Sequence, residues 1–302
     1  MILGYSSNAF KKHSIFEAVE KIGRLGFRGI EIMCKRPHVH ASIFSEEEWP
    51  RLKSRIEAER LKVINLNCST LFALGDDLCS SQADAPPDET LEERIEHTLH
   101  CLRLASYLGC RNISIPTGTP AKNLSREGFK TLFGERLKKV VSLAEELGVD
   151  VLLEPEPGLD GHNYLNFKAF IEEVRSPAVG VNFDIGHLYC LGEDPSASFE
   201  QMFRWIGHVH LDDIAPSRIH HHLIPGRGAI DFLEVFKTMA RLGYDRDMCL
   251  ELYTYLDTPV EAGQEALAYV LPVFQAAGLR LEGQRAGAEG REAGIQRPGV
   301  TP

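Results

Sequence analysis

Eight short apolar runs of β type recur along this 302-residue chain, each followed by a longer segment of helical periodicity. The runs are Met1–Tyr5, Gly29–Met33, Lys62–Asn67, Asn112–Ile115, Asp150–Leu153, Val179–Phe183, His208–Leu211 and Met248–Leu252. Helical patterns run from Ser14, a candidate N-cap, to Gly26. Others cover residues 46–59, 89–108, 126–147, 166–174, 198–205, 231–242 and 260–277. Strands that alternate with helices must pair in parallel, because each helix carries the chain back to the starting edge. Eight such units over about 280 residues fit a single-domain (β/α)8 TIM barrel spanning residues 1–281. An open doubly wound sheet fits less well, since Ser6-Ser7-Asn8 stands where a Gly-rich phosphate loop would follow the first strand. From Glu282 to Pro302 the chain has five glycines and no aromatic residue, so a disordered tail is expected there.

Composition excludes several classes. The net charge of -10 opposes the basic footprint that a nucleic-acid binder needs. Seven scattered cysteines without a C-x-x-C spacing read as reduced thiols, and with no signal peptide visible the expected location is cytoplasmic. No apolar run approaches the ~18 residues of a membrane helix, so no membrane partner is expected. A homo-oligomer is left open, and nothing points to an organic cofactor.

The chemistry sits where the last four strands finish. Glu154 ends the fifth (LLEPEPG), Asp184 the sixth (NFDIGH), His210 lies in the seventh (HVHLDD) and Glu251 in the eighth (CLELY). In a barrel these ends share one rim, the C-terminal mouth where active sites of this fold lie. Three carboxylates and one imidazole form a hard donor set for a divalent metal such as manganese, magnesium, cobalt or zinc. His187, three residues after Asp184, is a candidate substrate contact. His222 is the inward candidate of the His220-His221-His222 run, and Arg227 in the following Gly-rich turn is a candidate for a substrate oxygen. Glu156, beyond Pro155, is expected to face away from the metal. The insert at residues 70–88 is expected to form a specificity lid.

These motifs together resemble the xylose-isomerase-like sugar phosphate isomerase/epimerase family, over about residues 1–280. Its members include ketose 3-epimerases, hydroxypyruvate isomerase, inosose dehydratase and, distantly, endonuclease IV. The resemblance implies that Glu154, Asp184, His210 and Glu251 are metal ligands and that His187 contacts a substrate oxygen. NLNCST (residues 65–70) and SIPTGT (114–119) lack the extra histidines of the three-zinc endonuclease site, which speaks against DNA repair. The expected activity is metal-dependent isomerisation or epimerisation of a sugar or keto-sugar. Glu154 and Glu251 would act as base and acid on an enediolate formed next to a metal-bound carbonyl. A metal-dependent dehydratase of a keto-sugar or cyclitol is the alternative; a non-catalytic binding protein fits less well.

Overall fold

A computed structural model describes residues 1–68, 91–116, 126–157 and 164–282. Its strands are β1 Leu3–Ser6, β2 Gly29–Met33, β3 Lys62–Asn67, β4 Asn112–Pro116, β5 Asp150–Glu154, β6 Val179–Asp184, β7 Ile206–Leu211 and β8 Met248–Leu250. They pair in parallel and in chain order, and β8 closes on β1 to complete the barrel. The helices are α1 Ile15–Arg24, α2 Trp49–Ala58, α3 Leu91–Leu108, α4 Arg126–Leu147, α5 Tyr164–Glu173, α6 Ile185–Cys190, α7 Pro195–Met202, α8 Phe232–Leu242 and α9 Pro259–Ala277. The expected TIM barrel is therefore the observed fold. The expected lid at 70–88 and tail residues 283–302 lie outside the described residues. Glu282 itself is bonded back to the barrel: its amide donates to the Met1 carbonyl at 2.8 Å, and its carboxylate meets the N-terminal amine at 2.9 Å.

Local rules explain the elements. Ser14 caps α1 in a reciprocal box, its hydroxyl accepting from the Glu17 amide while the Glu17 carboxylate accepts from the Ser14 amide. α8 stops at Gly243, whose φ of 72° suits a residue without a Cβ. One unit differs from its sequence pattern. The single helix expected over 198–205 is two helices, α6 and α7, followed by a 3-10 turn at Phe203–Trp205. α6 starts because Asp184 caps it, accepting the His187 amide at 2.7 Å. The rim carboxylate is thus locked to the helix that carries His187. β8 is two residues shorter than expected, yet the Glu251 amide still donates to the Leu211 carbonyl at 3.1 Å.

Two cores coexist. The outer one lies between strands and helices and is apolar; Val19, Ile22, Leu102, Val140, Phe199, Phe236 and Phe274 are all buried there, with the Phe236 and Phe274 rings stacked at 4.3 Å. The barrel interior is different. Its lower part is a small plug of Ile2, Ile64 and Cys249, admitted because β2 offers only a glycine at the contact. A Cβ at Gly29 would come within 3.0 Å of both isoleucines. Above the plug, inward positions are polar: Ser6, Glu31, Asn65, Asn112, Ser114 and Asn182 are all buried. The Leu, Ile and Val layers common in such barrels are replaced here by a hydrogen-bonded network.

The long loop after β7 is fastened by Asp213. Its buried carboxylate accepts the amides of Ile214, Gly226, Gly228 and Ile230 at 2.8–3.1 Å. A Cβ at Gly228 would overlap that carboxylate, so only glycine allows the approach. Replacing Asp213 by Ala strands several buried donors, each costing about 1–3 kcal/mol. Asp213→Ala is expected to lower unfolding stability by about 3 kcal/mol or more in urea titration; an unchanged midpoint would refute the fastening role.

Candidate active site

β5 to β8 bring the four predicted rim residues together. One ligand atom from each of Glu154, Asp184, His210 and Glu251 lies within 4.8 Å of all the others, and all four residues are buried. The His210 ring is central. Its Nδ1 lies 3.1 Å from Glu154 Oε1, 3.5 Å from Glu251 Oε2 and 3.6 Å from Asp184 Oδ2. Its Nε2 bonds Glu31 Oε2 at 2.7 Å. With Nε2–H donated to Glu31, Nδ1 is the atom left to face the three carboxylates.

Glu31, on β2, escaped the sequence reading. It is fully buried and accepts from Ser6 Oγ at 2.7 Å and Asn65 Nδ2 at 2.7 Å besides His210. The signal was present: a carboxylate in the middle of the apolar run GIEIM. Asn8 and Asn67 were missed as well. Their side-chain amides donate to Glu251 Oε1 at 2.8 and 3.1 Å, leaving Oε2 turned toward His210. Asn8 belongs to the 3-10 turn after β1, the segment the sequence reading noted only for lacking glycines.

The remaining predicted residues separate. His187 is inside: Nδ1–H donates to the Pro155 carbonyl at 2.9 Å, and Nε2 lies 3.7 Å from Asp184 Oδ2. His222 is inside too, its Nδ1–H donated to the Glu251 carbonyl at 2.8 Å and its ring 4.5 Å from that of Tyr253. Its Nε2 faces His220 Nε2 at 3.0 Å and Asp212 Oδ2 at 3.5 Å. Arg227 is not in the site. It is exposed and held by both oxygens of Glu265 at 2.6 Å, because its turn projects it outward against α9. Glu156 is half-buried beyond β5, and burial pushes its carboxyl up, with His187 drawing it down and Glu154 adding to the rise.

Crowding of like charge sets the protonation. Burial lifts Glu251 to about 8, Glu154 and Glu31 add to the rise, and His210 opposes it. Burial alone would lower His210, but Glu31, Glu251 and Glu154 outweigh it and hold the imidazole well above its ordinary range. His187 behaves alike, burial being overcome by Asp184, Glu156 and Glu154 to reach about 9. The His210 proton therefore occupies the place of a cation among three carboxylates. Asp184 Oδ2 is buried without a hydrogen-bond partner among the described residues. Oxygen donors in excess, one imidazole nitrogen and an unpartnered carboxylate oxygen fit a divalent metal ion.

Residues 19–272 match the protein family described as "Xylose isomerase-like TIM barrel". The chain is 27% identical over 269 residues to an inosose dehydratase of Erwinia tasmaniensis, covering 80% of this chain and 83% of that protein. It is 24% identical over 266 residues to a fructoselysine 3-epimerase of Escherichia coli O157:H7, covering 84% and 91%. Among solved structures, the IolI protein with a bound zinc atom superposes with a TM-score of 0.73 at 19% identity, over 91% of this chain and 98% of that one.

The protonation pattern predicts how the metal-stripped chain responds to pH. Glu251, His187 and His210 hold protons in the folded state above their unfolded pKa values, so stability is lost as pH rises through the folded values. Burial opposes ionisation of Cys68, but thiol hydrogen bonds bring it down to about 6, and it acts in the opposite sense. The histidines His38, His97, His100, His208, His220 and His222, lowered by burial, act likewise, mainly below about pH 7. Asp212 and the thiols of Cys34, Cys101, Cys110 and Cys249, all raised by burial, add to the loss. In chelator-treated protein the urea midpoint is expected to fall between about pH 7 and 9. A rise over that interval would contradict the assignment.

Proposed function

The chain belongs to the xylose isomerase-like TIM barrel family, and from that premise we propose that it is a divalent-metal-dependent isomerase or epimerase of a sugar or keto-sugar. The observation that carries the reading is His210 Nδ1 enclosed by Glu154, Asp184 and Glu251, with Glu31 fixing the ring from behind. Glu154, Asp184, His210 and Glu251 would hold the ion. Manganese is the first candidate, and the zinc bound in the IolI structure supports a divalent ion in this family. Bound there, the ion supplies Lewis-acid polarisation of a substrate carbonyl, which acidifies the adjacent C–H.

The chain's own groups do the proton work. Glu154 and Glu251 are the two glutamates of the cluster, carried on strands separated by β6 and β7 around the rim. One removes the proton next to the carbonyl and the other returns a proton to the enediolate. Return to the opposite face of the same carbon epimerises; return to the neighbouring carbon isomerises. Asn8 and Asn67 donate to one oxygen of Glu251 and leave the other for the substrate side. His187, pinned by Pro155 and by the Asp184 cap, presents Nε2 to a substrate oxygen. His222 is held by the Glu251 carbonyl at the same mouth. Arg227 has no part in this assignment.

A second reading is favoured by the inosose dehydratase relative. In that case the same enolate expels a β-hydroxyl instead of taking back a proton.

Incubation of the manganese-loaded protein with ketoses and inososes in deuterated water, followed by NMR, separates the readings. Deuterium beside the carbonyl with a new stereoisomer or aldose is the expected result. Loss of water instead would transfer the assignment to the dehydratase, and no exchange on any sugar would overturn both. Glu154→Gln and Glu251→Gln are each expected to cut turnover by about 10²–10⁴-fold; wild-type rates in either would refute the acid–base roles. Glu31→Ala frees the His210 ring, and metal affinity by calorimetry is expected to fall about 10–100-fold.

A further inference from the structure

A second cluster of metal-ligating side chains lies outside this centre. Cys34 follows β2, Cys68 follows β3 and Cys101 lies on α3; the Cys34 amide donates to the Asn67 carbonyl at 2.8 Å, which binds the first two segments together. All three residues are fully buried, and their sulfurs lie within 4.8 Å of one another. They are far apart in sequence, so the fold and not a local motif gathers them. His97, one turn before Cys101 on α3, packs its ring against Cys101 Sγ, with Nε2–H donated to the Cys34 carbonyl at 2.7 Å and Nδ1 accepting the Ala41 amide at 3.3 Å.

From this geometry we propose that Cys34, Cys68 and Cys101 form a buried three-thiolate site for a soft divalent cation, zinc foremost. The dimensions agree. With Zn–S bonds of about 2.3 Å, tetrahedral sulfurs stand roughly 3.8 Å apart. Thiols within 4.8 Å need to close by less than about 1 Å to reach that spacing.

The surrounding charge also suits a cation. Burial resists ionisation of all three thiols, and hydrogen bonds from Cys101 and Cys34 with the nearby Lys35 make Cys68 the first to give up its proton. Burial and the neighbouring His40 lower His97 to about 3, so the ring beside the cluster is neutral and adds no competing positive charge. On binding, the dication replaces the thiol protons, which pass to solvent; no electron is transferred. Three thiolates and one dication leave a single negative charge beside Lys35.

Such a site is structural, since its three thiolates are fully buried away from the barrel mouth. It would tie the ends of β2 and β3 to α3, directly behind Asn67, which positions Glu251. The alternative is that the thiols are apolar filler, the common fate of buried cysteine. Two of the three could also be joined as a disulfide, but that use leaves the third sulfur unexplained.

Cobalt(II) titration of the full-length, reduced protein decides the matter. Sulfur-to-cobalt charge transfer arises only from thiolate ligation, so an ion in the carboxylate centre gives no such band. The two sites can thus fail independently. The expected result is a thiolate–cobalt band with a tetrahedral d–d spectrum, displaced by zinc. Cys101→Ala is expected to lose that band and one equivalent of bound metal. Folded wild-type protein with no charge-transfer band at saturating cobalt would overturn the site without any mutant. Survival of the band in Cys101→Ala, or recovery of a native disulfide among the three cysteines by mass spectrometry, would also overturn it.

Discussion

A carboxylate at the centre of the barrel, Glu31, is bonded at 2.7 Å to an imidazole, His210, that comes from three strands away around the rim. Both groups are fully buried. Breaking such a pair by removing one partner leaves an uncompensated charge in low dielectric, at a cost of about 3–5 kcal/mol. Most of the site geometry descends from this contact. It fixes which nitrogen of His210 faces the carboxylates, and that nitrogen sets where Glu154, Asp184 and Glu251 converge.

The interior is built to tolerate the pair. Ser6 and Asn65 satisfy further lone pairs of Glu31, and Asn65 is held in turn by Ser114 and Asn112. Burying this much polarity is sustainable because the apolar burial that stabilises the fold is placed elsewhere, between strands and helices. The barrel therefore divides its labour by side-chain direction: outward strand positions hold the helices, and inward positions above the plug hold charge. Within the outer ring, Asp184 does two things at once, capping α6 and offering its second oxygen to the mouth. That coupling makes the position of His187 a consequence of helix capping.

The like charges gathered at the mouth form a strained electrostatic state without a cation. Burial and mutual repulsion raise Glu251, and His210 keeps a proton as the local counter-charge. A dication held by Glu154, Asp184, His210 and Glu251 would take the place of that proton and satisfy the same oxygens. The chemistry proposed for this family member follows from that exchange, since a cluster arranged around a positive charge is also arranged around a polarised carbonyl.

Much of this was legible in the sequence because it is periodic or terminal. Alternation of strand and helix dictates parallel pairing and a closed barrel, and a residue ending a strand must stand on the rim, so Glu154, Asp184, His210 and Glu251 could be read together. Glu31, Asn8 and Asn67 could not be ranked, since a polar residue within a strand looks the same whether it meets a partner or solvent. Arg227 was misplaced for a related reason: a loop side chain takes its direction from distant contacts, here Glu265 on α9. Sequence by itself determined the fold and the ring of strand-end donors, because backbone pairing and side-chain alternation are local rules. Tertiary structure alone decided which imidazole nitrogen faces inward, which carboxyl keeps its proton and which loop groups enter the mouth, because those depend on partners up to 243 residues away.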